Sequence, residues 1–427
     1  MKRIKYLTYI FLLSFFSFTV RAQLITIDEC QDLARMNFPL TKQQGLIDQS
    51  TETTISALMT QYFPQFRLNG QASYQSDVTR VDITLPDGFP EINIPIPDKD
   101  QYKVYLDISQ TVFGGSSLGV QQQMTRVQAE ERKQQVEIEL YKLEKQINQI
   151  FFGILLADEQ LKQTEILKSD LNSALEKVDV LVKNGISLET NRLNLEAELI
   201  TLNDNIQSIG IGRTALVDVL EKLTGKELQE NVQPVKPSKA NTETGIDRPE
   251  LTLIDYQKNT LSLQNRQLTA MNVPNISLFL QGGWGKPALN MFSNKFEPFY
   301  VGGVRFYWNI SQLYTLAQDK RNIETRQKMY DVEKEIFQLN NEVEQTRQQS
   351  KISQLQSALL SDEKLIVLRC KIKKTSQIQL ENGVITSAEF IRDANAENQA
   401  RQTKALHEIQ LLSAEYDLRW IGKTQTR

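Results

Sequence analysis

Few side chains in this sequence can do covalent chemistry. His407 is the single imidazole of 427 residues, and Cys30 and Cys370 are the only thiols. A zinc site draws on several Cys and His donors, and a nucleophile system needs a base beside its serine or cysteine. One histidine and two distant cysteines supply neither, so no catalytic residue, metal ligand or cofactor is expected. Two thiols make no disulfide framework either; they read as separate buried or half-buried cysteines, and His407 as a residue of a helical surface. What recurs at regular spacing is polar chemistry. Arg67, Asn69, Gln71 and Ser73 alternate with Phe66, Leu68, Gly70, Ala72 and Tyr74, and Lys103, Asp107 and Ser109 with Val104, Leu106 and Ile108. Arg305 and Asn309 do the same among Val304, Phe306, Trp308 and Ile310, and Ser277 and Gln281 among Ile276, Leu278, Leu280 and Trp284.

A period of two places these side chains on strands, with one face apolar and the other uniformly polar. Each run is about ten residues, the length a tilted strand needs to cross a bilayer. Aromatic residues support that setting: 18 of 34 fall within residues 62–115 and 274–314, as interfacial girdles require. A soluble sandwich would show the same alternation, but no helix is left over to cover so small a sheet. Four strands cannot close a membrane barrel, and an open edge in lipid leaves backbone groups unsatisfied. Strands must come from further copies; two chains give eight and three give twelve, and strand count alone leaves both open. The loop from Asp77 to Gln101, with four prolines, and the loop from Gly285 to Pro298 would face outward.

Long helices must carry the rest. All twelve prolines fall at 39, 64, 86–97, 234–249 and 274–298, leaving 98–233 and 299–427 free for uninterrupted helix. Leu167, Leu171, Ala174, Val178 and Leu181 step by four and three, as do Leu195, Leu199, Leu202, Ile206 and Ile209, and Val332, Ile336, Leu339 and Val343. These spacings predict seams between packed helices. Asn184-Gly185 and Asn382-Gly383 read as reversals, where one helix ends left-handed and an antiparallel one begins. The chain is thus written twice: Pro64, Gly114-Gly115 and Asn184-Gly185 punctuate one copy, and Pro274, Asn309-Ile310 and Asn382-Gly383 the other.

The expected organisation is a signal peptide over 1–22, N-terminal helices over 23–62, a β-hairpin over 63–113, a long helical hairpin over 114–226 and a linker over 227–250. A helix over 251–273, a second β-hairpin over 274–310, a second helical hairpin over 311–421 and a tail over 422–427 follow. Lys2, Arg3 and Lys5 precede the apolar run Tyr9 to Val20, and Val20-Arg21-Ala22 fits cleavage after Ala22. The run is short for a permanent anchor, and Cys30 sits too deep for a lipidation site. Without the four N-terminal cations the chain has 45 basic against 52 acidic side chains, a balance of −7 that excludes a nucleic-acid partner.

Several segments resemble the TolC-like outer-membrane efflux proteins over nearly the whole mature chain. They are Leu24-Ile25-Thr26-Ile27-Asp28-Glu29-Cys30 leading to Ala34 and Asn37-Phe38-Pro39, Phe63-Pro64, and Gln110-Thr111-Val112-Phe113-Gly114-Gly115. Leu220-Glu221-Lys222-Leu223-Thr224-Gly225 and Arg248-Pro249-Glu250-Leu251, similar to the family's repeat junction, complete them. The resemblance implies a mixed α+β membrane protein: a two-repeat chain giving four β-strands to a trimeric twelve-stranded barrel in a Gram-negative outer membrane, and its helical hairpins to a periplasmic tunnel. It implies an exit duct that performs no chemistry, serving efflux or type I secretion with a periplasmic adaptor and an inner-membrane transporter. Outside the family, a periplasmic adaptor or a secreted coiled-coil protein also has a signal peptide and long helices. An adaptor has one hairpin rather than two, and a coiled coil leaves the aromatic strands unexplained.

Site residues follow from the resemblance. The family's adaptor-contact tips match Lys183-Asn184-Gly185-Ile186 and Glu381-Asn382-Gly383-Val384. Its acidic gate ring, six and nine residues beyond the second glycine, matches Glu389 and Arg392, so that a cation stands in the second place, with Asp393 directed to another helical face. Its gate-locking polar positions match Asn191 and Ile385, neither of them charged. The barrel lumen would be lined by Arg67, Asn69, Gln71, Lys103, Asp107 and Arg305, polar without visible selectivity.

Overall fold

The computed structural model describes residues 23–81, 95–114, 117–229, 231–238 and 248–422. The expected signal peptide, the middle of the 77–101 loop, Gly115, part of the 227–250 linker and residues 423–427 lie outside the described residues. In chain order the elements are β1 (Leu24–Ile25), α1 (Ile27–Asn37), α2 (Thr41–Met59), β2 (Gln65–Tyr74), β3 (Asp100–Phe113), α3 (Ser117–Lys183), α4 (Glu189–Thr224), β4 (Gln233–Pro234), α5 (Pro249–Met271), β5 (Asn275–Lys286), β6 (Glu297–Tyr307), α6 (Leu313–Glu381) and α7 (Ser387–Gly422). They form two compact units that cut across the sequence repeats. One comprises Met1–Gln43, Val136–Pro249 and Ile336–Arg427, the other Gln44–Gln135 and Glu250–Glu335. Among the described residues no helix is long and apolar enough to cross a membrane.

The second unit is built on one antiparallel sheet of order β2-β3-β5-β6. Phe66 pairs with Ile108 and Leu68 with Leu106, Ile108 pairs in turn with Leu280, and Leu278 with Val304. That register puts the apolar side chains of all four strands on one face. The face is uncovered: Leu68 is 77% exposed and Tyr300 80%. On the opposite face Arg67 pairs with Asp107, Gln71 with Lys103, Asp107 with Gln281 and Ser277 with Arg305.

Two strand expectations are corrected. The polar face is not uniformly polar, because Tyr105, Phe279 and Phe299 share it by register. Phe279 has room because it pairs with Gly303, where an added Cβ would meet its ring at 3.1 Å. The last strand does not continue to Trp308 and Ile310. β6 pairs only with β5, whose first residue, Asn275, already faces Tyr307. Trp308 instead donates its indole N–H to the Asn272 carbonyl at 3.1 Å, and Ile310 begins a short 3-10 turn.

In the first unit the hairpins α3–α4 and α6–α7 pack through a shared core. Leu167, Leu171, Ala174 and Val178 of α3 meet Leu195, Leu199 and Leu202 of α4, with Leu380 of α6 and Phe390, Ile391 and Ala394 of α7. The third predicted seam has no such partner: Val332, Ile336, Leu339 and Val343 of α6 are 43–60% exposed. At the repeat junction Arg248 is buried, its guanidinium 4.4 Å from the Trp420 ring centre and 5.0 Å from that of Tyr141, while Tyr141 and Trp420 stack at 4.9 Å. His407 is not a free surface residue. Its Nδ1 lies 2.6 Å from Asp362 Oδ2, which joins α7 to α6. Cys30 and Cys370 are free thiols, and burial pushes that of Cys30 up to about 12.

Candidate functional site

Both helical reversals are built alike. Gly185 and Gly383 have φ of 72° and 71°, a conformation that costs a residue with a Cβ about 1 kcal/mol. Gly185 N–H donates to Val182 O and Ile186 N–H to Leu181 O, at 2.9 and 2.8 Å. Gly383 N–H donates to Leu380 O and Val384 N–H to Gln379 O, at 3.0 and 2.8 Å. This double bonding closes each helix end on its own last carbonyls. It also pushes an apolar side chain out at each tip, with Ile186 64% and Val384 69% exposed. Lys183 pairs with Asp179, Glu381 with Lys177, and the Asn382 amide donates to Ile378 O at 2.7 Å; Asn184 N–H bonds Val180 O at 3.1 Å.

The two tips are tied by polar bonds, though not between the two residues the sequence suggests. Asn191 Oδ1 accepts from both the backbone N–H and the hydroxyl of Ser387 at 3.1 Å, and its Nδ2 donates to Ser187 Oγ at 3.0 Å. Ile385 packs against the apolar cluster instead. Neither serine carries a sequence signal that separates it from the many other helical serines.

Glu389 is bound at the start of α7. Its Oε2 accepts from the Thr386 N–H at 2.8 Å and from the Thr386 hydroxyl at 3.0 Å, and Glu389 N–H donates to Thr386 Oγ1 at 3.4 Å. This is a capping box. The Thr386 backbone and hydroxyl bonds hold the carboxyl below the usual glutamate range. Arg392 is 73% exposed and lies 3.5 Å from Asp393, whose other oxygen accepts from Ser376 of α6. Asp393 therefore faces into the hairpin, while Arg392 faces out.

A buried ionic cluster escaped the sequence reading. The Glu397 side chain, 4% exposed, accepts from Arg401 and from the Cys370 thiol (3.2 Å) and pairs with Lys373 at 3.3 Å; Lys373 reaches Asp170 of α3 at 2.6 Å. Burial pushes the Glu397 carboxyl up, but the bonds from Arg401 and Cys370 and the Lys373 charge outweigh it and leave it below its usual value. Burial pushes Lys373 down, and its bond and charge contact with Asp170, with Glu397, leave it above. Only the spacing of Glu397 and Arg401 hinted at this, and surface pairs share that spacing.

The strand-face residues Arg67, Asn69, Gln71, Lys103, Asp107 and Arg305 belong to the other unit. Of them Asp107 is 7% exposed, and its Oδ1 has no hydrogen-bond partner. Among the described residues no group of acidic, His and Cys side chains is placed to hold a metal.

No protein-family model matches the sequence, and no curated protein matches it either. Solved structures do match. CusC, described for its transmembrane channel formation, aligns with a TM-score of 0.68 at 14% identity over 93% of this chain and 92% of that one. The outer membrane protein VceC of Vibrio cholerae gives 0.67 at 11% identity over 93% and 96%. The open state of the MtrE outer membrane channel of Neisseria gonorrhoeae gives 0.65 at 14% identity over 94% and 91%. With its four-stranded sheet and its two capped helical hairpins, the chain has the fold of the TolC-like outer-membrane channels.

Proposed function

We propose that this chain is the outer-membrane exit duct of an export system in a Gram-negative bacterium, a passive channel and not an enzyme. The observation that carries the reading is the sheet of β2, β3, β5 and β6, whose apolar face is uncovered and whose edge strands β2 and β6 have no outer partners among the described residues. Lipid accepts such a face but not such edges. Further copies therefore complete the barrel, and three copies supply twelve strands. Lipid lies against the apolar face, and Arg67, Asn69, Gln71, Lys103, Asp107 and Arg305 line the lumen.

The hairpins then form the periplasmic tunnel. Their tips, with Ile186 and Val384 outermost, receive the periplasmic adaptor of an efflux or type I secretion system, and an inner-membrane transporter supplies energy and chooses the cargo. Glu389, Arg392, Asp393, Asn191 and Ile385 stand at the gate. A mixed Glu389/Arg392 constriction is less cation-selective than a double acidic ring, and strong cation selectivity lost on Glu389→Ala alone would count against it. Fractionation of cells tests the duct itself. Recovery in the outer membrane as a heat-dissociable oligomer is expected; a soluble periplasmic monomer would overturn the reading.

A further inference from the structure

The polar face of the sheet carries cations seated on aromatic rings. Lys103 Nζ lies 4.7 Å from the Phe299 ring centre and 5.0 Å from that of Tyr105, and these two rings lie 6.2 Å apart. The Arg305 guanidinium lies 4.8 Å from the Phe279 ring centre. Phe279 spreads over Gly303, a position where any side chain would press on its ring. Phe299 is buried and Tyr105 half-buried, so the rings are fixed platforms rather than mobile side chains.

Charge on this face has one cation in excess. Its cations in the four strands are Arg67, Lys103 and Arg305, and its carboxylates are Asp107 and Glu297. Asp107 is buried, and Glu297, at the loop end of β6, accepts from the Ser293 hydroxyl at 2.6 Å. The cations Lys103 and Arg305 are the charges that stand beside rings on this face. A cation resting on a ring is partly stripped of water, which strengthens its attraction for an anion; buried Phe299 seats Lys103, and the half-buried Tyr105 and Phe279 rings offer the stacking surface.

We propose that Lys103 with Tyr105 and Phe299, and Arg305 with Phe279, are binding steps for anionic aromatic solutes such as aromatic sulfonates and carboxylates. Their placement in a lumen rests on the duct reading above. The full chain in planar bilayers tests it, with 1-naphthalenesulfonate, 1-naphthalenemethanol and 1-naphthylmethylammonium added in turn. The sulfonate should block current at the lowest concentration. Lys103→Gln or Arg305→Gln should each raise its half-blocking concentration roughly fivefold, the scale of one partly exposed ion pair, while Lys103→Arg retains the block. Phe299→Leu and Phe279→Leu should raise the half-blocking concentration of the naphthalenesulfonate and leave that of the ring-free methanesulfonate unchanged. Equal block by all three probes, or sulfonate block that survives the Lys103→Gln/Arg305→Gln pair, overturns the site and leaves the duct standing. Recovery of the protein only as a soluble periplasmic monomer removes the duct, and the site with it.

Discussion

Asn191 and Ser387, 196 residues apart, are joined twice: one amide oxygen accepts both the backbone N–H and the hydroxyl of the serine at 3.1 Å. Ser387 is fully buried and opens α7, so its N–H has no water to fall back on. The bond pair therefore fixes the start of one hairpin's second helix to the other hairpin. A link of this kind resists separation of the tips.

Asn191→Ala removes the acceptor and strands two donors, a loss of about 1–3 kcal/mol. The expected result is a higher resting conductance in planar bilayers. Asn191→Asp keeps the accepting oxygen and should hold the conductance low. An unchanged conductance in Asn191→Ala would show that the tips are held elsewhere.

How much of this was legible in the sequence depends on the length scale of the signal. Period-two runs, proline-free stretches and the recurrent Asn-Gly pairs are repeated local patterns, and they located the sheet and both capped reversals. The polar link was half legible. The family resemblance pointed to the position of Asn191, but its partner Ser387 is chosen by the packing of two hairpins and not by spacing. The Lys373–Glu397–Arg401 cluster was illegible for the same reason: its members are far apart in sequence or resemble a surface pair until burial is known. Phe279 and Phe299 were overlooked on the strand face because room for a ring there depends on a glycine of the neighbouring strand, which only register reveals.

Glu389 should act as a cap before it acts as a charge. Glu389→Gln preserves the reciprocal bonding with Thr386 and should keep most of the thermal stability, losing only the part that the charge adds. Glu389→Ala, which cannot return the bond to the Thr386 N–H, should give a clearly lower midpoint of helical circular dichroism. The folded carboxyl titrates below its usual range, so its contribution is present above the ordinary glutamate pKa and is lost as pH falls through the lowered value. A Glu389→Gln protein as unstable as Glu389→Ala would contradict the capping role.

Glu397 and Lys373 bound a pH window. The lowered Glu397 value means its stabilisation is present above the usual carboxylate range and is lost as acid titrates the folded group. The raised Lys373 value means its contribution is complete below the usual lysine range and is lost only as base passes the raised value. Glu397→Ala removes the partner of part-exposed Arg401 and one of the two carboxylates on Lys373, which keeps Asp170, and should cost about 1–3 kcal/mol at neutral pH. Urea unfolding across a pH series checks this. The gap between wild type and variant should close in acid, and a gap that stays constant through the carboxylate range would refute the ionic assignment.

The unpartnered stripe of α6 predicts the contact between copies. Val332, Ile336, Leu339 and Val343 step by four, three and four along one side of the helix, the spacing of a seam, yet Leu339 is 60% exposed in the single chain. Burying such a side chain stabilises an assembly by about 1.5–3 kcal/mol, and a repeated stripe multiplies that over several copies. Leu339→Glu places a charge in the middle of it and should shift the detergent-solubilised protein from oligomer to monomer, measured by light scattering on a sizing column. Asn340→Glu, one residue on and about 100° around the helix, should leave the oligomer intact, and Leu339→Met should do so because it conserves apolar volume. If Leu339→Glu and Asn340→Glu behave alike, the stripe is not the seam between copies, and the edge strands β2 and β6 must carry the assembly by themselves.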